Sequence, residues 1–167
     1  NKITIRVKNL KSRPYIDLTL DVMQKFGLLV PENKNYEEFI FHYDAIQIPP
    51  FGSGRASYTV EGDWSGAAFL LVAGAIAGNI TIKGLDVFSK QADRKILEAL
   101  MDCGCNLSVN NEQIEVSHPP LGIKGFHFNA TECPDLFPPL VALASYCNGK
   151  SIIEGTTRLP HKESNRA

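Results

Sequence analysis

Two short stretches carry residue types from which charged chemistry on an anionic substrate can be built: Glu132-Cys133-Pro134-Asp135, and the closing Lys162-Glu163-Ser164-Asn165-Arg166. In the first, an acid beside a proline opens an apolar helical run. In the second, a Lys-Glu pair is followed by an arginine. Helix starts suit such work, because their unpaired N–H groups and dipole favour negative charge. A carboxylate there can exchange a proton with a substrate. Lys162 and Arg166 are four apart, so a helix would put them on one face. Each stretch also has a plainer reading taken alone: Asp135 as a helix cap, and 162–166 as a solvated helix start.

The 167 residues can bury an ordinary core in one or two domains. With 44% hydrophobic and 21% charged residues the composition is that of a globular protein. The formal net charge of -1 gives no global pull toward nucleic acid or an anionic membrane, so anion binding must come from local clusters. No signal peptide is visible, and no apolar run reaches the ~18 residues of a membrane span. These features point to the cytoplasm. The four cysteines include one C-x-C but no pair of metal knuckles; Cys103, Cys105 and Cys147 read as core thiols. The chain opens on Asn1 and stops where a helix is expected to begin, which suggests an internal piece of a longer protein.

The elements that must position these residues are written as a repeat. At an offset of 77, Ile3-Thr4-Ile5 matches Ile80-Thr81-Ile82, Ser12 matches Ser89, Leu20 matches Leu97 and Gly27 matches Gly104. At an offset of 71, the run Gly78 to Gly84 matches Gly149 to Gly155. Periodicity predicts helices over Tyr15–Phe26, Ser65–Ala77, Ala92–Cys103 and about Phe137–Cys147, with Gly27 and Gly104 as C-caps. Strand candidates are Leu28–Val30, Glu38–Tyr43, Asn106–Val109 and Gln113–Ser117, besides the Ile-Thr-Ile runs. The expected fold is α/β (α+β), made of repeated βαβαββ units with the two most apolar helices inside. Ala45–Ser57, rich in Pro and Gly, is the expected linker. Tyr58–Glu61 should be extended, Asp63 should cap the following helix, and the boundary should lie near Val60.

Five motifs occur in order along the repeat: Ser12-Arg13-Pro14-Tyr15-Ile16-Asp17, Glu61-Gly62-Asp63-Trp64-Ser65, Gln91-Ala92-Asp93, Cys133-Pro134-Asp135 and Lys162-Glu163-Ser164-Asn165-Arg166. Together they resemble the central segment of 5-enolpyruvylshikimate-3-phosphate synthases, over essentially the whole chain. The resemblance implies the enolpyruvyl transferase fold, two lobes of three βαβαββ units each. Residues 1–60 would end one lobe, and residues 61–167 would begin the other. It implies transfer of the enolpyruvyl group of phosphoenolpyruvate to the 5-hydroxyl of shikimate 3-phosphate, without metal or organic cofactor. By the same resemblance Asp135 and Glu163 are the catalytic acid/base pair. Ser12, Tyr15, Asp135 and Lys162 bind shikimate 3-phosphate, and Arg166 binds phosphoenolpyruvate.

Some positions depart from the family pattern. Asn165 replaces the usual aspartate, Pro160 stands where arginine is common, and Arg158 falls where some members place a substrate-contacting asparagine. Other family motifs lie outside these residues, so this piece alone is expected to be inactive. The implied partners are the two small molecules, with neither nucleic acid nor membrane, and the full-length enzyme is expected to be a monomer. Two other readings stand beside this one: a non-catalytic ligand-binding lobe, and a sister transferase acting on a nucleotide sugar.

Overall fold

The structure, a computed structural model, describes residues 2–42 and 57–161. The chain divides into two compact units, Asn1–Val60 and Glu61–Ala167. The expected linker, Ala45–Ser57, lies outside the described residues but for Ser57.

In the first unit, β1 (Lys2–Arg6) leads to α1 (Arg13–Lys25), followed by β2 (Glu32–Lys34) and β3 (Glu38–His42). The sheet order is β1-β3-β2, antiparallel throughout, with Ile5 opposite Phe39 and Lys34 opposite Glu38. Helix α1 starts where Pro14 needs no N–H partner. It ends in a Schellman turn: Gly27 N–H bonds Gln24 O, and Leu28 N–H bonds Met23 O, with Gly27 at φ 70. The strand expected at Leu28–Val30 is displaced to Glu32–Lys34. Pro31 interrupts the apolar run. A turn through Asn35 and Tyr36, both left-handed, fixes the hairpin register beyond it. Phe39 and Ile40 are buried, whereas α1 buries no residue.

In the second unit, α2 (Trp64–Ala77) precedes β4 (Asn79–Lys83), and a 3-10 turn at Ala92–Lys95 runs into α3 (Ile96–Asp102). Then come β5 (Asn106–Val109), β6 (Gln113–Ser117), β7 (His127–Asn129), α4 (Phe137–Tyr146) and β8 (Ile152–Glu154). One antiparallel sheet has the order β4-β6-β5; β7 and β8 pair in parallel. Residues 57–63 form no strand, so the front strand of the expected unit is missing there. The α3 C-terminus repeats the α1 ending, with Gly104 N–H on Met101 O and Cys105 N–H on Leu100 O. That identity at the 77-residue offset is the repeat made visible in backbone bonds.

Helix α2 starts on Asp63, whose carboxylate accepts from Ser65 N–H and Gly66 N–H, both at 3.0 Å. Gln91 latches the same helix start. Its Oε1 accepts from Trp64 N–H at 2.9 Å, and its Nε2 donates to Gly62 O at 2.9 Å. Trp64 is fully buried and donates its indole N–H to Asp86 O at 3.0 Å. Gly74 lets α2 settle onto Ile80 of β4 and Val116 of β6. Leu71, Ile96, Leu100, Ile114, Leu136, Leu140 and Leu143 complete the core, each contributing about 1.5–3 kcal/mol by burial. The expectation of wholly interior α2 and α4 holds for one face only: Phe69, Leu70 and Val141 are about half exposed. Among the described residues, nothing covers that side.

Candidate active site

Strands β7 and β8 run in the same direction, with His127, Phe128 and Asn129 opposite Ile152, Ile153 and Glu154. Their carboxyl ends therefore share one edge, the position at which open α/β sheets bind ligands. Two loops leave that edge. The first, residues 130–133, leads into a 3-10 turn at Pro134–Leu136 and then α4; the second, Gly155, leads into another at Thr156–His161. Ala130 N–H bonds Glu154 O at 3.0 Å and ties the loops together. Gly155, at φ +99, lies so close that a Cβ there would sit 2.7 Å from Thr131 N.

Asp135 is the middle residue of the Pro134–Leu136 turn. Cys133, Pro134 and Leu136 are buried around it, while Asp135 itself is half-buried. Thr131 N–H on Asn129 Oδ1, Cys133 N–H on Ala130 O and Leu136 N–H on Cys133 O fold the loop into consecutive tight turns. The buried neighbours thus anchor the turn on which the half-buried Asp135 sits. A short 3-10 turn of this kind follows from Pro134, which supplies a pre-set φ at the first position.

From the second loop, Arg158 N–H bonds Gly155 O at 3.1 Å, and its side-chain Nε is shielded from solvent. A third element contributes Asp93, 3% exposed, from the 3-10 turn before α3. Burial, reinforced by the negative charge of Asp93, pushes the Cys133 thiol up to about 12. Acidic charge from one element thus reaches the loop that carries Asp135. Lys162, Glu163 and Arg166 lie outside the described residues, directly beyond the Thr156–His161 turn.

Ser12 and Tyr15 belong to the other unit, at the start of α1. Ser12 precedes the helix in a left-handed conformation, φ 57 and ψ 41, and its hydroxyl makes no capping bond. The routine capping role is therefore not the one it plays. Its carbonyl accepts Tyr15 N–H at 3.1 Å. Two shallow depressions, of about 420 Å³ beside Thr81, Ser108 and Glu115 and about 470 Å³ beside Leu18, Val22 and Phe26, include none of the candidate residues.

Sequence reasoning missed β7, Gln91's latch and the burial of Asp93. Gly125 and Ala130 bracket the His127–Asn129 run, and Phe128 alternates inward between two polar residues. That was the available signal, but three residues are too few for a period to show.

Residues 1–167 match the family model described as EPSP synthase (3-phosphoshikimate 1-carboxyvinyltransferase). Proteins named 3-phosphoshikimate 1-carboxyvinyltransferase from Clostridium kluyveri and Pyrococcus furiosus are 38% and 37% identical. Those alignments cover 99% of this chain and 37% and 39% of the two relatives. The chain therefore spans a little over a third of their length. Among solved structures, the enolpyruvyl transferase NikO from Streptomyces tendae superposes with a TM-score of 0.65 at 18% identity, covering 92% of this chain and 35% of that one. EPSP synthase from Acinetobacter baumannii gives 0.64 at 20% identity, covering 99% and 37%. At such identities these likenesses speak for the fold. Among the described residues, no helix is long and apolar enough to cross a membrane.

Proposed function

The chain belongs to the EPSP synthase family, and from that premise we propose that its protein transfers the enolpyruvyl group of phosphoenolpyruvate to the 5-hydroxyl of shikimate 3-phosphate, releasing phosphate, on the way to the aromatic amino acids. Support comes above all from the shared carboxyl edge of β7 and β8, where one loop holds Asp135 and the other runs toward Lys162. The sister reading on a nucleotide sugar is less well supported, since the curated relatives carry the 3-phosphoshikimate name.

In this reading the 5-hydroxyl oxygen bonds to C2 of phosphoenolpyruvate while Asp135 accepts its proton. Glu163 gives a proton to the methylene carbon. It takes one back as the C–O bond to phosphate breaks, so the vinyl group is restored, and Asp135 gives up its proton to the departing phosphate or to water. Lys162 holds shikimate 3-phosphate and Arg166 holds phosphoenolpyruvate, their fixed charges offsetting the substrates' anions. Ser12 and Tyr15 serve the shikimate phosphate from the other unit. Residues 1–60 close one lobe and 61–167 open the other. No metal or organic cofactor takes part. The partners are the two small molecules, and the full-length protein works as a cytoplasmic monomer, binding neither nucleic acid nor membrane.

The test is Asp135→Asn in the full-length protein that carries this segment, read as phosphate released from the two substrates. A missing proton acceptor should lower kcat about 10²–10⁴-fold. A variant that keeps more than a tenth of the parent rate would remove Asp135 from that role. The 167-residue chain alone should release no phosphate; measurable turnover would show that the rest of the site is not needed.

A further inference from the structure

We propose that Tyr36, at the tip of the β2–β3 hairpin, is a positioning residue for the phosphate-holding end of α1, through a clamp that joins its ring to Arg13 and its hydroxyl to Asp17. The proposal rests on the reading of Ser12 as a ligand for the phosphate of shikimate 3-phosphate.

The start of α1 needs such a device. Ser12 sits in the left-handed region, φ 57, which costs an L-residue roughly 1–2 kcal/mol. A backbone so placed persists only where its surroundings hold it. The first helical turn is therefore where an external restraint would matter.

Tyr36 supplies the restraint. Arg13 and Asp17 are one turn apart and share a helix face. The Arg13 guanidinium lies 5.2 Å from the centre of the Tyr36 ring, within cation–π range. The Tyr36 hydroxyl reaches both Asp17 oxygens, Oδ1 at 2.8 Å and Oδ2 at 2.9 Å, donating its one proton between them. That bond, with a smaller effect of burial, raises the phenol above its ordinary pKa.

The tip is closed by its own hydrogen bonds. Tyr36 is left-handed at φ 61 beside Asn35 at φ 53, Asn33 Oδ1 accepts Tyr36 N–H at 2.8 Å, and Glu37 N–H bonds Lys34 O at 3.0 Å. Glycine would take this backbone without strain. A tyrosine there is costly unless its side chain has a task, and the Arg13–Asp17 clamp is the task on view. Tyr15, two positions after Arg13, lies roughly 200° round the helix. The clamp therefore grips one side of the first turn, and Tyr15 projects from the other. Fixing the helix rotation fixes the direction in which Ser12 and Tyr15 approach a phosphate monoester.

The experiment uses the full-length protein and separates KM for each substrate from kcat. Tyr36→Phe keeps the ring under Arg13 and deletes the hydroxyl's one bond, shared between the two Asp17 oxygens. It should raise KM for shikimate 3-phosphate about 5–10-fold, as expected for one lost charge-assisted bond acting on ligand geometry. KM for phosphoenolpyruvate and kcat should stay within about twofold. Asp17→Asn retains an acceptor for the hydroxyl and should leave KM for shikimate 3-phosphate much closer to the parent value than Tyr36→Phe does. Ser12→Ala is the benchmark. If it raises KM for shikimate 3-phosphate while Tyr36→Phe does not, the clamp has no positioning role although the functional reading stands. If Tyr36→Phe weakens both substrates and kcat alike, the contact merely stabilises the fold, and the proposal is overturned. If Ser12→Ala itself has no effect, the phosphate reading of Ser12 fails and takes the proposal with it.

Discussion

Replacing Gln91 tests how α2 is held at its first turn. The side chain gives an acceptor to Trp64 N–H and a donor to Gly62 O, both at 2.9 Å and partly buried. Trp64 N–H is one of the helix-start donors with no partner inside the helix. In Gln91→Ala both partners lose their bonds in a place water reaches poorly. A neutral bond is worth about 1 kcal/mol net, and a buried group left unmade costs about 1–3 kcal/mol. Partial burial favours the lower end, so the total should be about 2–3 kcal/mol, a sizeable part of a typical 5–15 kcal/mol stability. Gln91→Glu sharpens the argument. It still accepts from Trp64 N–H, but it faces Gly62 O with a carboxylate oxygen and adds charge beside the Asp63 cap. Its folded-state pKa should therefore be raised. Stability lost to that carboxylate is regained below the ordinary glutamate range and disappears as pH rises through the raised value. Urea unfolding followed by the fluorescence of Trp64, the only tryptophan, reads both variants. A Gln91→Ala change below about 0.5 kcal/mol would refute the latch, since a working bond cannot cost less to remove. So would a Gln91→Glu deficit that grows as pH falls.

Two further outcomes follow from packing and burial. Gly74→Ala should destabilise by about 1–2 kcal/mol even though alanine is the better helix former by about 1 kcal/mol. The added methyl would meet Ile80 and come 2.8 Å from Val116 Cγ1, and neither stiff side chain can swing away; a stabilised variant in the same urea assay would disprove that contact. The Cys133 thiol, pushed up to about 12 by burial and by Asp93, should resist iodoacetamide at pH 8 in the folded protein. Peptide mass analysis showing Cys133 alkylated as fast as in urea would contradict its burial.

How far the amino-acid order foretold this arrangement depends on how local each feature is. Gly27 and Gly104 announced two helix endings because a left-handed C-cap is a requirement of a single residue. Asp63 and the alternating Ile114 and Val116 were legible for the same reason. The strand read at Leu28–Val30 was apolar enough, but its position was decided by Pro31 and by a turn several residues later. Strand β7 stayed hidden because its stability comes from a partner far along the chain. At the candidate site, Pro134 marked Asp135 as the opening of a helix. The closeness of Gly155 to Thr131 could not be read from either stretch, since it exists only once β7 and β8 are paired. The open side of α2 and α4 shows the limit of composition: an apolar helix declares that it needs cover, not what supplies it.

The bond from Ala130 to Glu154 has a consequence for assembly. A ribosome delivers Asp135 well before the strand that steadies it. Until residues 152–154 emerge, Ala130 N–H lacks the Glu154 carbonyl it bonds, and β7 lacks its parallel partner β8. The loop that carries Asp135 therefore gains its tie to β8 late in the synthesis of this segment. A nascent chain halted before β8 would lack the bond that joins the Asp135 loop to that strand.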